Sequence, residues 1–189
     1  MLGEPFRFSD CMKTSVLIRG LGTIGTSLAS ALSKVCNYEV FGASRNPVAL
    51  EFAYKKGFVK NVSSYTGSCE IEIICAPKQA VLDILSNAGT AGSIVVDICG
   101  TKKEIVLKVL KQSIQDKYVS IHPMVHIEPK GYLFYKENVF KGTTVFMINE
   151  LSHKAEVNNK VIELLKNIGT EKIISCSALE HDMVLKYRF

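Results

Sequence analysis

Three glycines near the start of the chain have the types and spacing for chemistry with phosphate. Gly20-Leu21-Gly22-Thr23-Ile24-Gly25 follows an apolar run and opens a stretch of small residues, reading SVLIRGLGTIGTSLASAL from Ser15 to Leu32. Between a strand and a helix, each glycine of a G-x-G-x-x-G pattern has a mechanical job. Gly20 permits the tight turn, Gly22 lets the backbone approach a pyrophosphate, and Gly25 lets the helix pack closely on the strand. Free N–H groups and the positive end of the helix that begins near Thr23 and Ile24 would hold the phosphates. The pattern implies dinucleotide binding.

About 20 residues past such glycines, an acid usually binds a ribose 2′-hydroxyl, whereas an arginine accommodates a 2′-phosphate. Here the second apolar run ends in Phe41-Gly42-Ala43-Ser44-Arg45-Asn46, with no Asp or Glu at its tip. Ser44 can donate to a phosphate, and the Arg45 guanidinium suits one in charge and shape. These residues favour NADP over NAD. The alternative is an ordinary loop arginine with use of either cofactor.

The elements that position these groups alternate along the chain. Strands are predicted at Thr14–Arg19, Tyr38–Gly42, Phe58–Val62, Ile71–Ala76, Ile94–Ile98, Tyr118–His122, Thr143–Ile148 and Lys172–Ser175. Helices are predicted at Ile24–Lys34, Pro47–Lys56, Gln79–Ala88, Lys102–Ile114 and Lys154–Asn167. Pro47 suits a first helical turn. The stretch Ile127–Gly142 reads as irregular with a short helix, and Leu179–Phe189 as the start of an unfinished helix. Strict alternation is the pattern of an α/β, Rossmann-type, doubly wound and mostly parallel sheet. Residues 1–12 read as a loose extension, residues 13–176 as one dinucleotide-binding domain, and residues 177–189 as the start of something further.

Ligands in such sheets lie outside the carboxyl ends of the strands. Five clusters fall there: Gly20–Gly25, Ser44–Arg45, Ala76–Pro77, Gly100–Thr101 and His122–Met124. Ala76, Pro77 and Gly100 therefore join the glycine loop, Ser44 and Arg45 as expected cofactor contacts.

Composition narrows the class. The 189 residues are 47% hydrophobic and 22% charged, as in a globular soluble protein. The net charge of +5 comes from scattered lysines, as in KKEIVLKVLKQSIQ from Lys102 to Gln115, rather than from one basic patch. These lysines read as the solvated face of an amphipathic helix whose other side carries Ile105, Val106, Val109 and Leu110. A nucleic-acid partner is not expected. A mildly positive field favours an anionic substrate. The six cysteines show no C-x-x-C pair and no zinc-ligand spacing, so no metal is expected. Cys75 and Cys99 read as small core residues in a reducing compartment. With no apolar run of membrane length and no secretory pattern in residues 1–12, the expected location is the cytoplasm.

Taken together, the motifs resemble the prephenate/arogenate dehydrogenase family. Four stretches carry the likeness. The first is GLGTIGTSLASAL, and the second is Asp97-Ile98-Cys99-Gly100-Thr101-Lys102, similar to the family's Asp-x-x-(Ser or Gly)-x-Lys. The third is Ile121-His122-Pro123-Met124, with Gly131 and Val139-Phe140-Lys141-Gly142 downstream. The fourth, Ala178-Leu179-Glu180-His181-Asp182, is similar to the Glu-His-Asp that precedes the family's C-terminal helical domain. The resemblance implies NAD(P)-dependent oxidative decarboxylation of prephenate or arogenate in tyrosine biosynthesis. Hydride leaves the carbon bearing the ring hydroxyl, and loss of carbon dioxide aromatises the ring. Some group must take the hydroxyl proton, and imidazole titrates near neutrality. His122 stands where the family places that base, and the resemblance implies substrate contacts at Thr101, His126 and His181.

Departures from the pattern leave alternatives open. Many members carry Ser where this chain has Gly100. Thr101 either replaces that hydroxyl or caps the following helix. Val125-His126 stands where the family usually has Ala-Gly, so His126 either crowds the nicotinamide side or adds a polar contact. His181-Asp182 either approaches the substrate or is a solvated pair at a helix start. In the family, a helical domain beyond Glu-His-Asp supplies a dimer interface and an arginine for the substrate carboxylate. Phe189 falls about where its first long helix begins. A homodimer or partner covering Met183, Val184 and Leu185 is therefore expected, and the alternative function is a non-catalytic dinucleotide-binding module.

Overall fold

Among the described residues, short apolar runs separated by amphipathic helices produce the seven strands of a single sheet. The computed structural model describes residues 13–60, 69–87, 93–151 and 154–186. The strands are β1 (Thr14–Arg19), β2 (Tyr38–Ala43), β3 (Ile71–Ile74), β4 (Ile94–Asp97), β5 (Tyr118–Pro123), β6 (Thr144–Ile148) and β7 (Lys172–Cys176). The helices are α1 (Thr23–Leu32), α2 (Pro47–Lys55), α3 (Lys78–Asn87), α4 (Lys103–Lys111), α5 (Ala155–Asn167) and α6 (Ala178–Lys186). Strand order is β2-β1-β3-β4-β5-β6-β7. All neighbours run parallel except β5 and β6. The order reverses at β1, which opens a crevice between the tips of β1 and β3.

The central strands are covered on both faces, which explains their unbroken apolar character. All four residues of β3 and of β4 are buried. Side chains alternate between two cores. Ile94 and Val96 join Leu28, Leu32, Val161 and Leu165 on the α1/α5 face. Val95 faces the other way, with Val81, Leu85, Ile105 and Val109 of α3 and α4.

Small residues bring α1 close to the sheet, with Thr26, Ser27, Ala29 and Ser30 fully buried. A Cβ at Gly25 would collide with the carbonyl oxygen of Gly20. The start of α2 is fixed by the Asn46 side chain, which accepts from the N–H groups of Val48 and Ala49 at 3.0 and 3.4 Å. Tyr132 and Tyr135, on the irregular stretch after β5, pack their rings on Phe52 of α2 at 5.2 and 5.9 Å. That stretch contains one 3-10 turn, Tyr132–Phe134.

The predicted strand Phe58–Val62 is not formed over its described residues. Gly57 has φ +72°, its N–H donates to Tyr54, and the N–H of Phe58 donates back to Ala53. This paired closure of α2 occupies the backbone that a strand would need. Among the described residues of that stretch, only a single bridge, Lys60 to Phe41, joins the sheet. Helix α4 is shorter than predicted, because Ser113 adopts φ +57° just after it. The expected solvated lysine face also fails at one position: Lys102 is fully buried. The predicted N-terminal extension, residues 1–12, lies outside the described residues. Among the described residues no helix is long and apolar enough to cross a membrane.

Gly25→Ala is expected to lower stability by about 1–3 kcal/mol through overpacking. Gly22→Ala should leave the unfolding midpoint unchanged, since its Cβ would have no neighbour within 4 Å. Denaturant unfolding of the two variants checks both statements.

Candidate active site

The glycine loop is held between the tips of three strands. The Gly20 N–H donates to the Ala43 carbonyl at 2.8 Å, and the Cys75 N–H to the Arg19 carbonyl at 2.8 Å. Gly20 sits at φ +104°, and a side chain there would collide with the Cys75 carbonyl. Gly22, by contrast, faces open space at the mouth of α1. The first turn of α1 carries no acidic side chain, so its positive end is not neutralised by a neighbour on the helix.

Two adjoining clefts straddle this loop, with volumes of about 700 and 530 Å³. They share Gly22, Cys75, Ala76, Pro77 and Gly131, and so form one trough. Gly20, Ser44 and Arg45 line the first cleft, and Thr23, Ile24, Gly25 and Gly100 line the second. All the residues assigned to a cofactor from sequence therefore lie along one trough. Ser44 Oγ accepts the Asn46 N–H at 3.1 Å, which leaves its hydroxyl proton able to donate. Arg45 is exposed. The Thr23 hydroxyl is engaged elsewhere: it accepts the Gly131 N–H at 2.6 Å and donates to the Gly131 carbonyl at 3.1 Å. That pair pins the stretch after β5 over the loop.

The second half of the site begins with a buried charge. Asp97 ends β4, and its carboxylate accepts from Lys102 Nζ at 2.7 Å, the Tyr118 hydroxyl at 3.0 Å and the Cys99 N–H at 3.0 Å. Lys102 Nζ also donates to the Ile121 carbonyl at 2.6 Å, next to His122. Burial and the Asp97 charge push the Tyr118 phenol well above its ordinary value. In the sequence Asp97 and Lys102 mark a family-like stretch, but nothing local assigns them a place in the site. The signal was an Asp inside a run that had to be buried, which demands a partner.

His122 lies near the end of β5, opposite Phe146 of β6. Its Nδ1 is 2.9 Å from His181 Nε2, and its Nε2 side faces Gly100, where a Cβ would lie 3.7 Å away. His181 is 1% exposed, and its Nδ1 meets Asp182 Oδ1 at 2.9 Å. The Asp182 carboxylate in turn accepts the N–H groups of Lys102 and Lys103, at the mouth of α4. Burial, the Lys102 charge and His181 lower the His122 pKa from 6.5 to about 4, so the ring is neutral at neutral pH. Burial also lowers His181, against the opposing pull of Asp182.

These contacts settle two of the open alternatives. Thr101 is exposed and does not cap α4, a task that falls to Asp182. His181 is not solvated; both its ring nitrogens are engaged inside the protein, and it lines neither cleft. His126 is exposed on the wall of the second cleft, whereas Thr101 lines neither.

A doubly wound sheet with a glycine loop at its switch point and a trough across it defines a Rossmann-type dinucleotide-binding domain. Residues 28–174 match the family model described as prephenate dehydrogenase, nucleotide-binding domain, and the chain belongs to that family. It is 30% identical over 179 residues to prephenate dehydrogenase of Lactococcus lactis subsp. cremoris (strain MG1363), covering 89% of this chain and 48% of that protein. The chain spans about half the length of the curated relatives it matches. The fold is similar to A. aeolicus prephenate dehydrogenase in complex with hydroxyphenyl propionate and NAD+, with TM-score 0.79 and 20% identity. That match covers 91% of this chain and 63% of the other. Synechocystis arogenate dehydrogenase gives TM-score 0.78 and 22% identity, covering 93% and 64% respectively.

Lys102→Met strands the Asp97 carboxylate in the core and is expected to cost about 3–5 kcal/mol, read as a fall in the unfolding midpoint. Acid should also destabilise the fold. The folded His122 pKa of about 4 lies below its ordinary 6.5, so between these values the unfolded chain binds more protons. Stability is therefore full above 6.5 and declines as pH falls towards 4, with His181 adding in the same direction. A histidine NMR titration that finds His122 protonated at pH 6 would contradict this.

Proposed function

We propose that this chain catalyses NADP-dependent oxidative decarboxylation of prephenate or arogenate, the aromatising step towards tyrosine. The observation that carries the proposal is a neutral His122, itself behind the cleft lining, whose Nε2 side faces Gly100 of the trough wall. The open face of Gly22 and the mouth of α1 suit a pyrophosphate. Ser44 and Arg45 would hold a 2′-phosphate at one end of the trough, with Ile24, Pro77 and Gly100 around the nicotinamide at the other. The nicotinamide, when bound, supplies a hydride acceptor.

His122 Nε2 accepts the proton of the ring hydroxyl as hydride departs from the same carbon. The bond to the ring carboxylate breaks, its electron pair enters the ring, and carbon dioxide leaves. His126, on the wall of the second cleft, is assigned a polar contact to the substrate, whereas Thr101, which lines neither cleft, is assigned none. Residues 13–176 then form the nucleotide-binding domain, with residues 177–189 starting a helical dimerisation domain. A second copy covers the exposed Leu179, Met183 and Val184 of α6. The protein works in the cytoplasm.

NADP is expected to bind about 10- to 100-fold more tightly than NAD, and Arg45→Ala to abolish the preference, as suits a lost charge-assisted contact. Calorimetric titration with each dinucleotide checks this, and equal affinities would remove the NADP assignment. His122→Ala should lower kcat at least about 100-fold in an NADPH-absorbance assay with either substrate. If the wild-type chain binds dinucleotide but turns over neither substrate, it is a binding module rather than an enzyme.

A further inference from the structure

We propose that His181 and Asp182 are positioning residues: they fix the His122 proton on Nδ1 and its lone pair on Nε2, and take up the positive charge when that lone pair is protonated. The proton-accepting part rests on the function proposed above, whereas the tautomer does not.

The tautomer follows link by link from one end of the network. Asp182 accepts two backbone N–H groups at the mouth of α4. Burial pushes its carboxyl up, but the bonds from His181, Lys103 and Lys102 hold it below its ordinary value, so it is ionised. An ionised carboxylate can only accept, so His181 Nδ1 must be the donor across 2.9 Å. His181 is buried, with the Phe146 ring at 5.5 Å, and burial holds it below its ordinary value, so at neutral pH it carries a single proton. Its Nε2 is then an acceptor, and the 2.9 Å link to His122 Nδ1 requires a proton on that Nδ1. A neutral His122 has no second proton. Its lone pair falls on Nε2, the side facing Gly100.

The same links decide where charge goes. Four charged or titratable groups act on His122: Lys102, His181, Asp97 and Asp182. The Lys102 ammonium is tied to Asp97 and Ile121, and it disfavours a cation on His122. His181 touches a carboxylate; His122 does not. When a hydroxyl proton bonds to His122 Nε2, the Nδ1 proton crosses to His181 Nε2. The imidazolium then rests on His181 against Asp182. One proton enters and one moves on, with no change in oxidation state. The neutral His122 is left with its proton on Nε2; release of that proton to solvent, with return of the His181 proton to Nδ1, restores the starting state.

Ring nitrogen-15 NMR of the full chain tests the tautomer without substrate. The expected spectrum has both His122 and His181 protonated on Nδ1, and an Nε2–H form of His122 in the wild type would overturn the inference. In His181→Phe, the His122 proton should move to Nε2; in His181→Gln, whose amide oxygen can accept, it should stay on Nδ1. No movement in a folded His181→Phe would also overturn it, and the wild-type spectrum decides even if that variant does not fold. With NADP and substrate, His181→Phe should lower kcat about 100-fold and leave KM within about twofold, with partial recovery in His181→Gln. A wild type that shows the expected tautomer but no turnover refutes the proposed reaction and leaves the tautomer assignment standing.

Discussion

The Lys102 ammonium, sealed in the core against Asp97, is the constraint around which the catalytic half of this domain is arranged. Taking two charges out of water costs several kcal/mol per ion, and that cost is offset only when the remaining hydrogen bonds are made. Here Asp97 gathers Lys102, Tyr118 and the Cys99 N–H, while Lys102 gathers Asp97 and the Ile121 carbonyl. Each partner belongs to a different piece of chain: the end of β4, the turn after it, the mouth of α4 and β5. The pair therefore fixes the turn that puts Gly100 on the trough wall, and the strand that presents His122. It also sets the field at His122, where burial and a fixed positive charge keep the ring neutral.

The dinucleotide half rests on a different constraint, the close approach of backbone to backbone. Gly20 and Gly25 have no room for a Cβ, whereas Gly22 has no neighbour at all. Two glycines serve packing and one serves access. The small buried face of α1 extends that packing along the helix. The Thr23 hydroxyl, spent on both backbone groups of Gly131, ties the irregular stretch after β5 across the loop. That stretch gains its remaining order from rings, since Tyr132 and Tyr135 rest on Phe52.

Much of the fold was legible because its causes are local. Apolar runs marked all seven strands within a residue or two, and Asn46-Pro47 marked the start of α2. The predicted strand at Phe58 shows how such inference fails. Phe58 and Val59 are apolar and buried like strand residues, yet the Phe58 N–H is committed to closing α2 after Gly57. Burial alone does not tell a strand from a turn packed beneath a sheet. The lysine-rich stretch from Lys102 misled for a related reason. Helical periodicity describes residues inside α4, but Lys102 precedes its first turn and points inward.

By itself, the sequence determined the alternation of elements, the glycine loop and the set of residues along the trough, because each depends on neighbours within a few positions. Only the tertiary structure decided how His122 is held. The His122–His181 contact spans 59 residues, and the Asp182 cap on α4 spans 80. A histidine's protonation and tautomer follow from burial, fixed charge and hydrogen-bond partners. Those arrive from β4, α4 and α6 only once the sheet has brought the three together.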